Sequence, residues 1–212
     1  MDVRPILLSF QTAIIAILFT FILGTGVAYI VFRLKNRKLK ILLNSLFTLP
    51  LVLPPTVFGF FLLTIFGVQQ PVGQFLLDFF AIQVVFSWPA TVIAAVAVSF
   101  PLMYRSALTA FEQMDSELLA VAQTLGFSES RYFRKIALPL SMNGLLAGGV
   151  LAFARGLGEF GATTMLAGNI AGKTRTLPLA IYSAVASGDW RLANQYVVIM
   201  LLLCLIILFF TE

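Results

Sequence analysis

From Ile6 to Phe32 the chain runs for 27 residues without one charged side chain. A helix needs about 20 apolar residues to cross roughly 30 Å of hydrocarbon. In that medium each backbone N–H and C=O must be satisfied within the segment, so the expected structure is a helix. Comparable apolar runs follow at about 41–67, 85–110 and 194–211. A fifth segment, about 139–166, is apolar but rich in small residues and carries Arg155 and Glu159. Period-two alternation, expected of a membrane barrel, is absent. The expected fold is an all-α integral membrane protein with about five transmembrane helices in one domain over 1–212. Composition agrees: 60% of residues are hydrophobic and 11% charged, against about 25% charged in soluble domains. The first run is too long for a signal-peptide core and lacks a cleavage site, so it reads as a retained span.

Residue types narrow the function. There is no histidine, which removes the commonest general acid or base and the commonest metal ligand. The single cysteine, Cys204, cannot form an internal disulfide. Zinc sites need several ligands, so Cys204 reads as a small buried hydrophobe. No nucleophile–base pair or carboxylate cluster is apparent. Catalytic residues, metal ligands and cofactors bound by this chain are therefore not expected.

Charge orients the spans. The connection from Arg33 to Lys40 has five basic residues and no acidic one, which marks the cytoplasmic side. The N-terminus is then outside. The connection 68–84, with Asp78 and no Lys or Arg, also falls outside. The segment 112–138 falls inside, with Arg131, Arg134 and Lys135 in it and Arg105 beside it. The 167–193 connection falls outside and the C-terminus inside. Nine basic residues lie inside against four outside (Arg4, Lys173, Arg175 and Arg191). The net charge of +5 is thus a topology signal, and no nucleic-acid partner is expected. Residues 71–82 and 177–187 read as short outer helices, the second with Pro178 in its first turn and Gly188 at its end.

The cytoplasmic segment is longer than a plain connection requires. Asp115 or Ser116 can cap a helix with Leu118, Leu119, Val121, Ala122 and Leu125 at its apolar positions. Gly126 suits a helix end. Ser128 can cap a second helix carrying Tyr132, Phe133 and Ile136, and Pro139 opens the next span. The product is a helix–turn–helix knuckle. Leu125, Phe127 and Phe133, if exposed, call for a partner in water.

Two other segments hold pathway candidates. Pro50, Pro54 and Pro55 must break or kink the second span. Non-helical backbone at that depth is tolerated inside protein or against a water-filled cavity; a simple structural kink is the other reading. Between Gly144 and Gly172 lie eight of the 15 glycines. Gly144 and Gly148 permit close helix approach. The cluster Gly156, Gly158 and Gly161 exposes backbone amides that, with the Thr163 and Thr164 hydroxyls, could handle a passing anion. Weak, distributed contacts suit conduction, which needs release as well as entry. Arg155 and Glu159 are four apart, on one face of a helix. With that helix starting at Pro139, Arg155 lies roughly 24 Å along it. The pair is either a neutralised packing contact or a gate near the outer mouth. The run Ala167–Thr174 fits a relaxed phosphate loop, but that loop needs a preceding strand in a soluble domain, so nucleotide binding is not expected here.

Gly126, nine residues, then Ile136-Ala137-Leu138-Pro139 resembles the coupling-loop signature of importer permeases of the ATP-binding-cassette class. That signature opens Glu-Ala-Ala six residues before the glycine. This chain has Ala120-Val121-Ala122 there, with Glu117 one turn earlier. The segments Leu49–Gly59, Ala154–Asn169 and Thr176–Tyr182 narrow the resemblance to molybdate permease subunits, with sulfate and tungstate permeases as nearest relatives. The resemblance implies a type I ABC importer permease-like fold in a bacterial cytoplasmic (inner) membrane. It implies pairing with a second copy, two cytoplasmic ATP-binding subunits that use the ATP, and an extracytoplasmic molybdate-binding protein. It assigns ATPase coupling to Glu117, Ala120, Ala122, Leu125, Gly126, Phe127, Phe133, Ile136, Leu138 and Pro139. The pathway or gate candidates, read from the residues themselves, are Pro54, Pro55, Thr56, Arg155, Gly158, Glu159, Phe160, Gly161, Thr163 and Thr164. The rival class, an autonomous secondary transporter, would show repeat symmetry or titratable groups deep in several spans. Neither is seen.

Overall fold

The computed structural model describes residues 1–115 and 117–209. Ser116 and residues 210–212, on which one capping expectation and the end of the last span fall, lie outside the described residues. Helix α1 spans Arg4–Phe32. Asn36 caps α2, Arg37–Val52, by accepting from the Lys38 and Leu39 N–H groups at 3.0 and 3.2 Å. Helix α3 is Pro55–Phe66 and α4 Pro71–Phe80. The long α5 is Trp88–Glu112. Two short helices, α6 (Glu117–Thr124) and α7 (Glu129–Tyr132), build the knuckle. A π-helical turn, Phe133–Ala137, leads through α8 (Leu138–Leu140) to α9, Met142–Leu157. Then come α10 (Gly161–Ala167), α11 (Leu177–Ala186) and α12 (Trp190–Phe209). Among the described residues, three helices are long and apolar enough to cross a membrane alone, or five spans if each of two bent pairs counts as one.

Both bent pairs have a local cause. The second span breaks at Leu53 and Pro54, and its halves diverge by 114°. Pro54 and Pro55 withhold two successive N–H donors there. Pro50 is accommodated within α2. The segment 139–166, expected as one helix, is instead broken twice. It bends by 73° at Ser141 and stops at Leu157, leaving Gly158, Glu159 and Phe160 outside helices. In an α-helix the Pro139 ring would clash with the Lys135 carbonyl, and the chain widens into its π-helical turn just there. The glycines at 156 and 158 weaken the other end. The helix carrying Arg155 thus starts at Met142, and Arg155 lies roughly 20 Å along it.

Small residues decide the packing. Helix α5 is central, with α1 and α9 against it. Ala13, Ala16 and Ala28 of α1 and Ala90, Ala94, Ala95 and Ala107 of α5 are fully buried. Two hydroxyl pairs cross that interface, Thr12 with Thr91 at 3.0 Å and Thr20 with Ser99 at 3.1 Å. On α9 a Cβ at Gly144 would lie 2.7 Å from the Ala110 Cβ, and one at Gly148 would lie 2.4 Å from the Ser106 Cβ. Such contacts let backbones approach closely where lipid supplies no hydrophobic drive for helix association. Helix α10 meets α3 equally closely, a Cβ at Gly59 falling 2.7 Å from the Ala162 Cα. Helix α2 has no buried residue, and Val52 at its end is 82% exposed.

The two ends differ in charge and partners. At one, Arg33 after α1 pairs with Glu129 of the knuckle, and Lys40 of α2 with Glu112 at the end of α5 at 2.7 Å. At the other, the Leu177 N–H donates to Ser9 Oγ at 2.7 Å and the Tyr196 hydroxyl to the Asp2 carbonyl at 2.9 Å.

Gly148→Ala should destabilise the fold by about 1–3 kcal/mol through overpacking against Ser106. Gly26→Ala, whose Cβ meets nothing within 4 Å, should be neutral or stabilising by up to about 1 kcal/mol from helix propensity. Paired thermal melts in detergent distinguish the two outcomes.

Candidate functional site

The knuckle is built by local rules. Asp115 Oδ1 accepts from the Glu117 N–H at 2.9 Å, opening α6. Gly126 adopts φ +74°. The Phe127 N–H reaches the Ala122 carbonyl at 2.9 Å and the Gly126 N–H the Gln123 carbonyl at 3.0 Å, the paired bonds of a Schellman end. Ser128 Oγ then accepts from the Arg131 N–H at 3.4 Å, starting α7. Around Gly126 space is open, so the constraint there is backbone geometry and not crowding.

The surface of the knuckle differs from the sequence expectation. Leu125 is 69% exposed, and Glu117, Ala120 and Pro139 are exposed. Ala122 is buried, and Phe127, Phe133, Ile136 and Leu138 are half-buried against the chain's own core. Phe127 lies beneath the Arg131 guanidinium, 5.6 Å from the ring centroid. The Phe133 ring sits 4.5 Å from that of Tyr29 and 6.4 Å from that of Phe111. Helix α7 lies against the ends of α1 and α5, which turns its aromatic face inward. Exposure of Phe127 and Phe133 is therefore corrected; among the three apolar candidates, Leu125 is the one that projects.

The pathway candidates form a second cluster, where the two broken spans meet. A Cβ on Gly161 would lie 2.8 Å from the Pro55 Cβ and 3.2 Å from the Thr56 nitrogen. The proline break and the glycine break thus pack on one another. Pro54, Pro55, Thr56 and Gly158 are exposed, and Phe160 is half-buried, with its ring 5.3 Å from that of Tyr182 on α11.

Glu159 is not on the helix face shared with Arg155. It lies beyond the end of α9, only 2% exposed. One carboxylate oxygen accepts from Arg155 Nη1 at 2.7 Å, and the other from the Ala162 N–H at 2.6 Å. The carboxylate thus bridges the break and satisfies a free donor of α10, where negative charge is favoured. The threonines are also less available than expected. Thr163 is buried, and the Thr164 hydroxyl donates to the Phe160 carbonyl at 2.6 Å.

The stretch from Ala167 to Thr174 belongs to a hydrogen-bonded loop between α10 and α11. Ile170 donates to Thr174 Oγ1 at 3.0 Å, Arg175 Nε to Asn169 Oδ1 at 2.8 Å and Asn169 Nδ2 to Ser183 Oγ at 2.7 Å. Among the described residues no strand precedes it, so the phosphate-loop context is missing. Among the described residues, no group of three or more His, Cys, Asp and Glu could hold a metal. Sequence reasoning missed Tyr29, Arg33 and Phe111 as partners of the knuckle. The basic cluster containing Arg33 was visible as a topology signal, but nothing in the sequence pairs it with Glu129, 96 residues away.

Glu159→Ala removes the ion pair and the cap together and should lower stability by about 1–3 kcal/mol. Glu159→Gln retains an oxygen for the Ala162 N–H and should lose less. Melting of the purified variants in detergent tests that order.

Residues 16–212 match the family described as the binding-protein-dependent transport system inner membrane component. The chain is 42% identical over 210 residues to the molybdenum transport system permease protein ModB of Escherichia coli K12, covering 99% of this chain and 91% of that one. It is 44% identical over 185 residues to the ModB protein of Haemophilus influenzae, covering 87% and 80%. Among solved structures, a chain of the MetNI methionine ABC transporter in an inward-facing conformation matches with TM-score 0.76 at 16% identity, covering 99% and 92%. A chain of a bacterial ABC transporter involved in import of the polysaccharide alginate matches with TM-score 0.80 at 14% identity, covering 99% and 77%. The fold is that of a type I ABC importer permease, and by sequence the chain belongs to the family of binding-protein-dependent transport system inner membrane components.

Proposed function

We propose that this chain is the transmembrane subunit of an ATP-driven importer that moves molybdate across the bacterial cytoplasmic membrane. The observation that carries the reading is near-full-length identity of 42% to a molybdenum transport permease. The N-terminus faces outward and the C-terminus inward, the orientation favoured by five basic residues between Arg33 and Lys40. Two copies pair around a central path, with the sparsely buried α2 and α3 available for that contact. An extracytoplasmic binding protein delivers the anion to the outer end. Two cytoplasmic subunits bind and hydrolyse ATP, and this chain holds no cofactor of its own.

Each knuckle docks in a groove of one ATPase subunit, with Glu117, Ala120, Leu125 and Gly126 at the contact. ATP-driven closure of the ATPases displaces the knuckles and switches the path from inward-open to outward-open. The junction of Pro54, Pro55 and Thr56 with Gly158, Phe160 and Gly161 lines or gates the path. Two rigid breaks packed together can shift as one. Arg155 and Glu159 hold the outer half of that junction, while Thr163 and Thr164 serve mainly its packing. Sulfate and tungstate, with the same charge and similar shape, are the alternative cargoes, and selection between them resides in the binding protein. An autonomous anion transporter is the remaining rival.

Gly126→Asp should abolish ATP-coupled uptake while leaving the dimer in the membrane, because a projecting carboxylate fills the open space at the contact. Uptake into proteoliposomes, with assembly checked by size-exclusion chromatography, measures both. Normal uptake by that variant would exclude the coupling role. Molybdate uptake by the wild-type complex should exceed sulfate uptake when the molybdate-binding protein is present. Uptake by this chain alone, without ATPase, would instead favour the autonomous transporter.

A further inference from the structure

We infer that Phe133, Tyr29, Arg33 and Glu129 form a lateral link that carries displacement of the knuckle directly into the first span, so that α1 moves with the ATPase contact. This rests on the importer reading above. Along the chain the knuckle connects to α5 on one side and α9 on the other; α1 has no covalent reason to follow it. The structure supplies a non-covalent one.

Phe133 is the centre of the link. Its ring packs on Tyr29 at 4.5 Å, and Tyr29 meets Phe111 edge-on at 5.5 Å. Phe32 closes the cluster at 6.0 Å from Phe111 and 6.3 Å from Tyr29. One residue from each of the knuckle and α5, with two from α1, thus form one interlocked aromatic group. Above it Glu129, the first residue of α7, accepts from the Tyr29 hydroxyl at 3.3 Å and pairs with Arg33. Tyr29 is therefore held twice, by its ring from Phe133 and by its hydroxyl from Glu129. The two contacts come from opposite ends of α7, Glu129 as its first residue and Phe133 as the residue just after it, and Ser128 caps that helix.

Close-packed groups transmit displacement because they cannot deform continuously. The ion pair by itself is part exposed, Glu129 by 60%, and pairs of that kind stabilise little. Its contribution here is direction: it fixes which way Tyr29 and α7 face. The aromatic contacts supply the stiffness. Helix α2, by contrast, makes its polar and ring contacts with α5, through Lys40 with Glu112 at 2.7 Å, Asn44 with the Tyr104 hydroxyl, and Phe47 with Tyr104 at 5.3 Å. Motion is thus channelled to α1, α5 and α9, the tightly packed trio. The broken second span follows through α5, which holds α2, and through α10, which packs on α3. Phe133 accordingly acts on transport through Tyr29 and not through the ATPase, which makes it a positioning residue.

The test is the number of ATP molecules hydrolysed per molybdate imported, measured in proteoliposomes containing this chain, its ATPase subunits and its binding protein. Phe133→Ala should assemble, retain ATP hydrolysis and raise that ratio about fivefold or more, the scale of a lost coupling between sites. Phe133→Leu, which keeps apolar volume, should raise it less and serves if the alanine variant does not assemble. Arg33→Glu and Glu129→Arg should each raise the ratio, and the two together should restore it towards wild type. An unchanged ratio in an assembled Phe133 variant would overturn the link, as would failure of the double exchange to restore what each single exchange lost. Wild-type protein with no ATP-dependent uptake would instead overturn the importer reading itself.

Discussion

The close approach of α1, α5 and α9 is the contact on which the rest of the structure depends. Within a bilayer these helices gain nothing from hiding apolar side chains from water, so their association rests on van der Waals contact and hydroxyl pairing. Alanines of α1 and α5 lie fully buried, and Gly144 and Gly148 bring the α9 backbone onto Ala110 and Ser106. The Thr12–Thr91 and Thr20–Ser99 pairs fix the register of α1 on α5, because a shift along the axis would take the Thr12 and Thr20 hydroxyls away from their partners on α5. With that trio set, the basic connection after α1 and the knuckle between α5 and α9 necessarily meet at the same end.

Both functional clusters hang from this frame and differ in how they are made. The knuckle is a set of local solutions: an Asp115 turn, a left-handed Gly126 and a Ser128 cap, all satisfied within a few residues. The junction of the broken spans is a tertiary solution. Pro55 and Gly161 are far apart in sequence, yet the absent side chain at one accommodates the ring of the other. Glu159 joins the two kinds. Its carboxylate ties Arg155 at the end of α9 to the Ala162 amide at the start of α10, so one buried charge serves two helices across a gap in the backbone.

Much of this was legible in the residues. Uncharged runs announce the spans, prolines 54 and 55 announce the break in the second, and Gly126 with Ser128 announces the turn of the knuckle. The continuous helix expected over 139–166 was misread because apolar content was weighed above breakers. Pro139 and the glycines at 156 and 158 acted as their chemistry dictates, and the span became three pieces. Phe127 and Phe133 were misread for another reason. A residue between spans is expected to face water, and only the seating of α7 on α1 and α5 turns that aromatic face inward.

The sequence by itself determined the medium and the break in the second span, because hydropathy and missing N–H donors are properties of each residue and its immediate neighbours. Tertiary structure decided which breaks touch, which threonines keep a free hydroxyl, and that Arg33 and Tyr29 grip a helix some hundred residues further on. Those are matters of which helix faces which. That choice is made by the fit of small residues along three long helices, a pairwise property that no single segment carries.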